Sequence, residues 1–170
     1  MPSARIITFA YGSNMPTARI THETRCPSAK TMGLAELHGY ELRWHKASKD
    51  GSGKADIVES DADGASVYGV LYEISPEDKA VLDKAEAGYE EVRVVVLHNG
   101  AEATVTAYKA TNVDPTLQPY TWYKALAAFG AKEHGLPAAY IAQIEAVPAI
   151  EDPDRKRHDK NMRLITEVQA

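Results

Sequence analysis

Apolar positions in this chain fall in short β-type runs through its first two thirds and at helical spacing in its last third. Residues 5–10, RIITFA, read as a first strand carrying Ile6, Ile7 and Phe9. Tyr11-Gly12-Ser13-Asn14 then breaks the run as a turn. Pro16 suits the first turn of a following helix, with Asn14 or Met15 as its cap. Residues 35–44 alternate loosely and predict one or two strands. KASKDGSGK (46–54) reads as a polar surface loop, and residues 55–58 as a short strand. SVYGVLYEI (66–74) predicts a strand because β-branched and aromatic residues dominate it. Ser75 and Pro76 open a helix as cap and first residue. Its packed side would carry Ala80, Val81, Leu82 and Ala85, and its exit would fall at Ala87-Gly88. Asn99-Gly100 sits between two β-rich runs, 89–98 and 101–110, and predicts a tight hairpin. Helical spacing returns over 121–128 and 138–144, joined by FGAKEHGLP, before a linker at 148–154.

Strands and hairpins followed by helices indicate an α+β fold with a largely antiparallel or mixed sheet. A length of 170 residues without internal repeats predicts one domain over residues 1–170, with 149–170 as a polar linker and tail. The run EDPDRKRHDK there reads as a solvated helix or linker face.

Charge and composition narrow the function classes. The formal net charge of −5 argues against nucleic acid as a partner, since phosphate binding needs a basic excess. The single cysteine, Cys26, cannot form a disulfide within the chain. The start has no apolar signal core, and no apolar run approaches the roughly 20 residues of a membrane helix. A cytoplasmic protein without a membrane partner is therefore expected. His22, His38, His45, His98, His134 and His158 are scattered without metal spacing, so no metal and no cofactor are expected.

Two stretches could carry chemistry. A strand feeding Tyr11–Asn14 and then a helix would expose backbone N–H groups over the strand end, favourable to a carboxylate or a polarised carbonyl oxygen. The other reading is a tight turn with a good cap. The stretch lacks the second glycine and Lys-Ser/Thr pair of a phosphate loop, and the Gly-x-Ser-x-Gly of a nucleophile elbow. In LDKAEAGYEE, Glu86 lies at a helix C-terminus, one turn after the like charge of Asp83. It is either a solvated helix end or a general base. Tyr120 and Tyr123 would turn to similar faces of the 121–128 helix, so periodicity does not choose between them.

FAYGSNM, RCPSA, LDKAEAGY and YKALAAFGAKEHGLP, in that order, resemble the γ-glutamylcyclotransferase family from about Ile6 to about Pro148. The resemblance implies a small mixed β-barrel with flanking helices and an enzyme that needs no metal or cofactor. It would cyclise a small γ-glutamyl substrate to 5-oxoproline and release an amino acid or amine. It implies Glu86, in the L-D-x-x-E pattern, as the catalytic residue. It implies Tyr11, Gly12, Ser13 and Asn14 as a backbone grip on the γ-glutamyl half, with Phe9 and Ala10 lining the same site. The spacing to Gly130 in the family pattern selects Tyr123 as a further substrate contact. A homodimer acting in glutathione metabolism is implied as well. Where the family usually has glycine directly after its glutamate, this chain has Ala87, with Gly88 one residue later, and the connection to Tyr89 looks short. That departure borders the leaving-group side. It keeps in play a γ-glutamylamine cyclotransferase and a non-catalytic module that binds a small ligand.

Overall fold

The computed structural model describes residues 4–169. Five strands close into a barrel: β1 (Ile6–Ala10), β2 (Lys30–His38), β5 (Ser66–Ile74), β6 (Tyr89–His98) and β7 (Ala101–Ala110), in the order β1-β5-β2-β6-β7. Its pairings are antiparallel except β1 with β7, which runs parallel through Thr8 and Thr106. The α+β expectation and the mixed barrel implied by the resemblance both hold. Strands β3 (Tyr40–Ala47) and β4 (Gly53–Glu59) form a separate two-stranded sheet. Buried Asp56 ties that sheet to the barrel: its carboxylate accepts the Ala110 N–H at 2.8 Å and meets His45 Nε2 at 2.7 Å.

Local signals account for several elements. The β6–β7 hairpin turns at Asn99 (φ 52°) and Gly100 (φ 78°), the two positive angles that a type I′ turn requires. Helix α2 (Pro76–Ala85) starts where Ser75 Oγ accepts the Asp78 N–H at 3.1 Å. Its packed side differs from expectation. Leu82 is buried, but Ala80, Val81 and Ala85 are exposed and Lys79 turns inward. Lys79 tolerates burial because Asp83 and Glu91 both pair with its ammonium, while its stem packs as an apolar chain.

Three expectations need correction. Helix α1 (Thr17–Ile20) has only four residues and Pro16, with extended dihedrals, as its N-cap. Neither Asn14 nor Met15 caps it, and so short a helix supplies little dipole to the preceding turn. The 46–54 loop contracts to Ser48–Ser52, because Lys46 and Ala47 belong to the end of β3 and Gly53 and Lys54 to the start of β4. Finally, 155–169 is not a linker or tail but helix α5 (Arg155–Gln169). Arg157 forks onto Asp152 with two bonds of 2.6 Å, and the same buried carboxylate accepts Trp122 Nε1–H at 2.8 Å. This bidentate pair docks the helix together with the buried Ile165 and with Met162 and Leu164, which pack against the core.

Helix α3 (Thr121–Glu133) runs five residues past its predicted end, and α4 (Ala138–Glu145) follows. The extra turn packs on the exit of the Tyr11–Asn14 turn. A Cβ on Gly130 would stand 2.5 Å from Met15 Cβ and 2.6 Å from Pro16 N, so only glycine permits this approach. Glu133 accepts the Thr17 N–H at 2.9 Å. Tyr72 donates to the Met15 carbonyl at 2.6 Å and lies 2.9 Å from His134 Nε2. The GAKEHGLP stretch thus holds the turn from behind.

Candidate active site

Strand β1 ends inside the molecule. Phe9, Ala10 and Tyr11 are buried, and Gly12–Asn14 turn over the barrel mouth. Among the described residues, the one backbone bond of this turn runs from Met15 N–H to the Gly12 carbonyl at 3.2 Å. The N–H groups of Gly12, Ser13 and Asn14 have no backbone acceptor there. Glu86, the C-cap of α2, comes from the other side of the cleft and accepts a hydrogen bond from Asn14 Nδ2 at 2.7 Å. Asn14 is therefore occupied with Glu86 rather than with a helix cap.

The residues that the resemblance assigns to the site meet here. Phe9, Ala10, Tyr11, Gly12, Ser13 and Asn14 line one cleft with Glu86 and Tyr123, which encloses about 440 Å³ with its open mouth included. Tyr120 is not among the lining residues; its hydroxyl donates to the Asp50 carbonyl. Asp83, expected to crowd Glu86 with like charge, is engaged elsewhere. It pairs with Lys79 and accepts from Tyr108 Oη–H, and these bonds outweigh its burial and hold its carboxyl below the usual range.

Two tyrosines clamp Ala55 of β4 at the cleft wall. Tyr123 Oη accepts the Ala55 N–H at 3.0 Å, and Tyr89 Oη–H donates to the Ala55 carbonyl at 2.7 Å. Burial pushes the Tyr123 and Tyr89 phenols up, so both stay protonated at neutral pH. Tyr89 has spent its proton on Ala55, whereas Tyr123 keeps an O–H to donate. Tyr89, Tyr108 and Ala55 escaped sequence reasoning as lining residues. Tyr89 had a signal, since it belongs to the LDKAEAGY stretch; Ala55 and Tyr108 had none. Among the described residues, no group of three or more His, Cys, Asp or Glu side chains is placed to hold a metal.

Tyr123→Phe should lower kcat/KM several-fold to about tenfold, because a hydrogen bond is worth about 1 kcal/mol net, and more to a charged group. It should also reduce stability, since the buried Ala55 N–H loses its acceptor. Tyr120→Phe loses its bond to Asp50 outside the cleft and should leave kcat/KM near that of the unmodified chain. Steady-state kinetics on both variants check the ranking; the reverse order would remove Tyr123 from the site.

The chain is similar to known proteins over most of its length. Residues 66–144 match the model of the AIG2-like family. The chain is 34% identical over 155 residues to a γ-glutamylcyclotransferase of Bos taurus, covering 82% of this chain and 77% of the relative. It is 32% identical over 149 residues to the Homo sapiens γ-glutamylcyclotransferase, with the same coverage. A solved γ-glutamyl cyclotransferase structure superposes with a TM-score of 0.77 at 29% identity, over 92% of this chain and 99% of the other.

Proposed function

The chain belongs to the γ-glutamylcyclotransferase family, and from that premise we propose that it cyclises γ-glutamyl amides with Glu86 as the proton-transferring residue. One observation supports this assignment most: a carboxylate, a turn with free N–H groups and a tyrosine O–H line one cleft, and the Asn14–Glu86 hydrogen bond joins its two sides.

The substrate carries its own nucleophile. Its α-amine attacks the γ-carbonyl carbon, a C–N bond closes the five-membered lactam, and the original amide C–N bond breaks. The attacking nitrogen starts as an ammonium and has no lone pair until a base takes a proton. Glu86 takes it and later gives a proton to the leaving nitrogen. Of the three hydrogens on the α-ammonium, one stays on the lactam nitrogen and two end on the released amine. Water does not enter the balance.

Folding the flexible γ-glutamyl chain into attack geometry is the larger task, and such positioning can supply several kcal/mol or more. In this reading the buried wall of Phe9, Ala10 and Tyr11 confines the chain. The N–H groups of Gly12, Ser13 and Asn14 hold a carboxylate or the developing oxyanion, and Tyr123 donates a further hydrogen bond. The family reading also carries a homodimer and a cytoplasmic role in glutathione metabolism.

Purified protein incubated with γ-Glu-Ala should release 5-oxoproline and alanine in equal amounts, and at the same rate with EDTA present. No 5-oxoproline overturns the reading. A reaction that EDTA stops and zinc or magnesium restores overturns the intramolecular mechanism as written.

A further inference from the structure

A basic recess opens off the active cleft on the Glu86 side. It shares Ser13, Glu86, Tyr89 and Tyr123 with that cleft, and Arg19, Arg25, Lys46 and Lys54 form its charged wall. A larger groove continues outward along Arg19, Arg25 and Lys54 to Lys156, Arg157 and Lys160 of α5. So dense a positive patch is unexpected on a chain of net charge −5.

The wall is under-compensated. Lys54 pairs with Asp50 at 3.3 Å, and Arg19 donates to the neutral Asn161 at 2.7 Å while its Nε is buried without a partner. Among the described residues, no carboxylate forms an ion pair with Lys46 or Arg25. Lys46 is only 7% exposed, its ammonium 5.0 Å from the centre of the Tyr89 ring. The α2–β6 connection is shaped around it: a Cβ on Gly88 would stand 2.9 Å from Lys46 Nζ. Burial weighs first against the charge of Lys46 and Lys54; Lys54 adds repulsion at Lys46, where the Glu86 carboxylate opposes it, and Arg19 adds repulsion at Lys54, where Asp50 and then Glu86 oppose it. A buried ammonium is costly unless an anion meets it.

The leaving half of the substrate is the part that reaches this wall. Glu86 has to serve both the α-nitrogen and the leaving nitrogen, so the released group must lie against Glu86, which also lines the recess. The recess then opens into the outer groove, with room for a leaving group of variable length. We propose that Arg19, Arg25, Lys46 and Lys54 form an anion subsite for the leaving half, with Lys46 and Arg25 as specificity-determining residues that favour γ-glutamyl peptides releasing an acidic amino acid. The inference rests on the cyclotransferase reading above.

Three substrates graded by the charge of the leaving half test it: the carboxamide of γ-Glu-Ala, γ-Glu-Ala itself, and γ-Glu-Glu, each followed by 5-oxoproline release. The value of kcat/KM should rise along this series by about tenfold or more, mainly through KM, since a hydrogen bond to a charged group is worth about 1.5–3 kcal/mol. Added salt should compress the series. Lys46→Gln and the less buried Arg25→Gln should each flatten it severalfold, and Arg25→Gln serves if the buried substitution impairs folding. Equal kcat/KM across the series, or an unchanged slope in folded variants, overturns the subsite while leaving the cyclotransferase reading intact. If no member of the series yields 5-oxoproline, the parent reading fails and the subsite with it.

Discussion

Glu86→Gln is expected to fold as the parent chain does and to turn over γ-Glu-Ala at least about a hundredfold more slowly, general acid–base groups being worth roughly 10²–10⁴-fold. Conservation of the fold follows from what Glu86 touches. Its Oε1 accepts from Asn14 Nδ2 at 2.7 Å, and a glutamine presents an oxygen at the same place. Asn14 Oδ1 is buried without a partner, so the new amide also offers it a donor within the same pair. The C-cap position of residue 86 depends on its backbone N–H bonded to the Leu82 carbonyl, which the substitution leaves alone. Loss of turnover follows from chemistry: an amide cannot take the α-ammonium proton at neutral pH. Thermal melting together with 5-oxoproline release separates the two effects. Turnover near the parent rate in a folded Glu86→Gln chain would remove Glu86 from the mechanism.

The parts of this molecule that could be read in its sequence are those whose signal is local. SVYGVLYEI is strand β5 to the residue, and Asn99-Gly100 turns the hairpin because both positions can adopt positive φ. Ser75 caps α2 through its own side chain. The rest depends on partners remote in sequence. Lys79 goes inward because Asp83 and Glu91 receive its charge, although helical patterning counts lysine as exposed. Helix α5 looks like solvated polar chain until Arg157 meets Asp152, whose carboxylate also accepts from Trp122. Lys46 and Lys54 seemed to belong to a surface loop, yet β3 and β4 carry them to the wall beside Glu86. The candidate site was legible through motif resemblance; its electrostatics were not, because cations from α1, β3 and β4 converge there only in three dimensions.

Gly12→Val should both destabilise the protein and cripple the active cleft. The resemblance gave Gly12 the task of letting substrate approach the backbone. The structure adds a tighter constraint. A Cβ at residue 12 would stand 2.9 Å from the Tyr123 hydroxyl oxygen and 3.0 Å from Ala55 Cβ. Neither neighbour can retreat easily. The Tyr123 ring is buried between Trp44 and Trp122, with centroids 6.0 and 5.9 Å away. Ala55 is held through its N–H by Tyr123 and through its carbonyl by Tyr89, and the adjacent Asp56 is tied to Ala110. Overpacking at so fixed a point costs about 1–3 kcal/mol, enough to lower the melting temperature measurably. The same displacement moves the Tyr123 hydroxyl and the turn N–H groups relative to Glu86. A misplacement of about 1 Å can cost roughly a hundredfold, so kcat/KM should fall at least that far. Gly12→Ala brings the same first contact without the added methyls and should show a smaller version of both losses. If Gly12→Val melts and reacts like the parent chain, the turn is free to shift, and the contacts with Tyr123 and Ala55 do not position it.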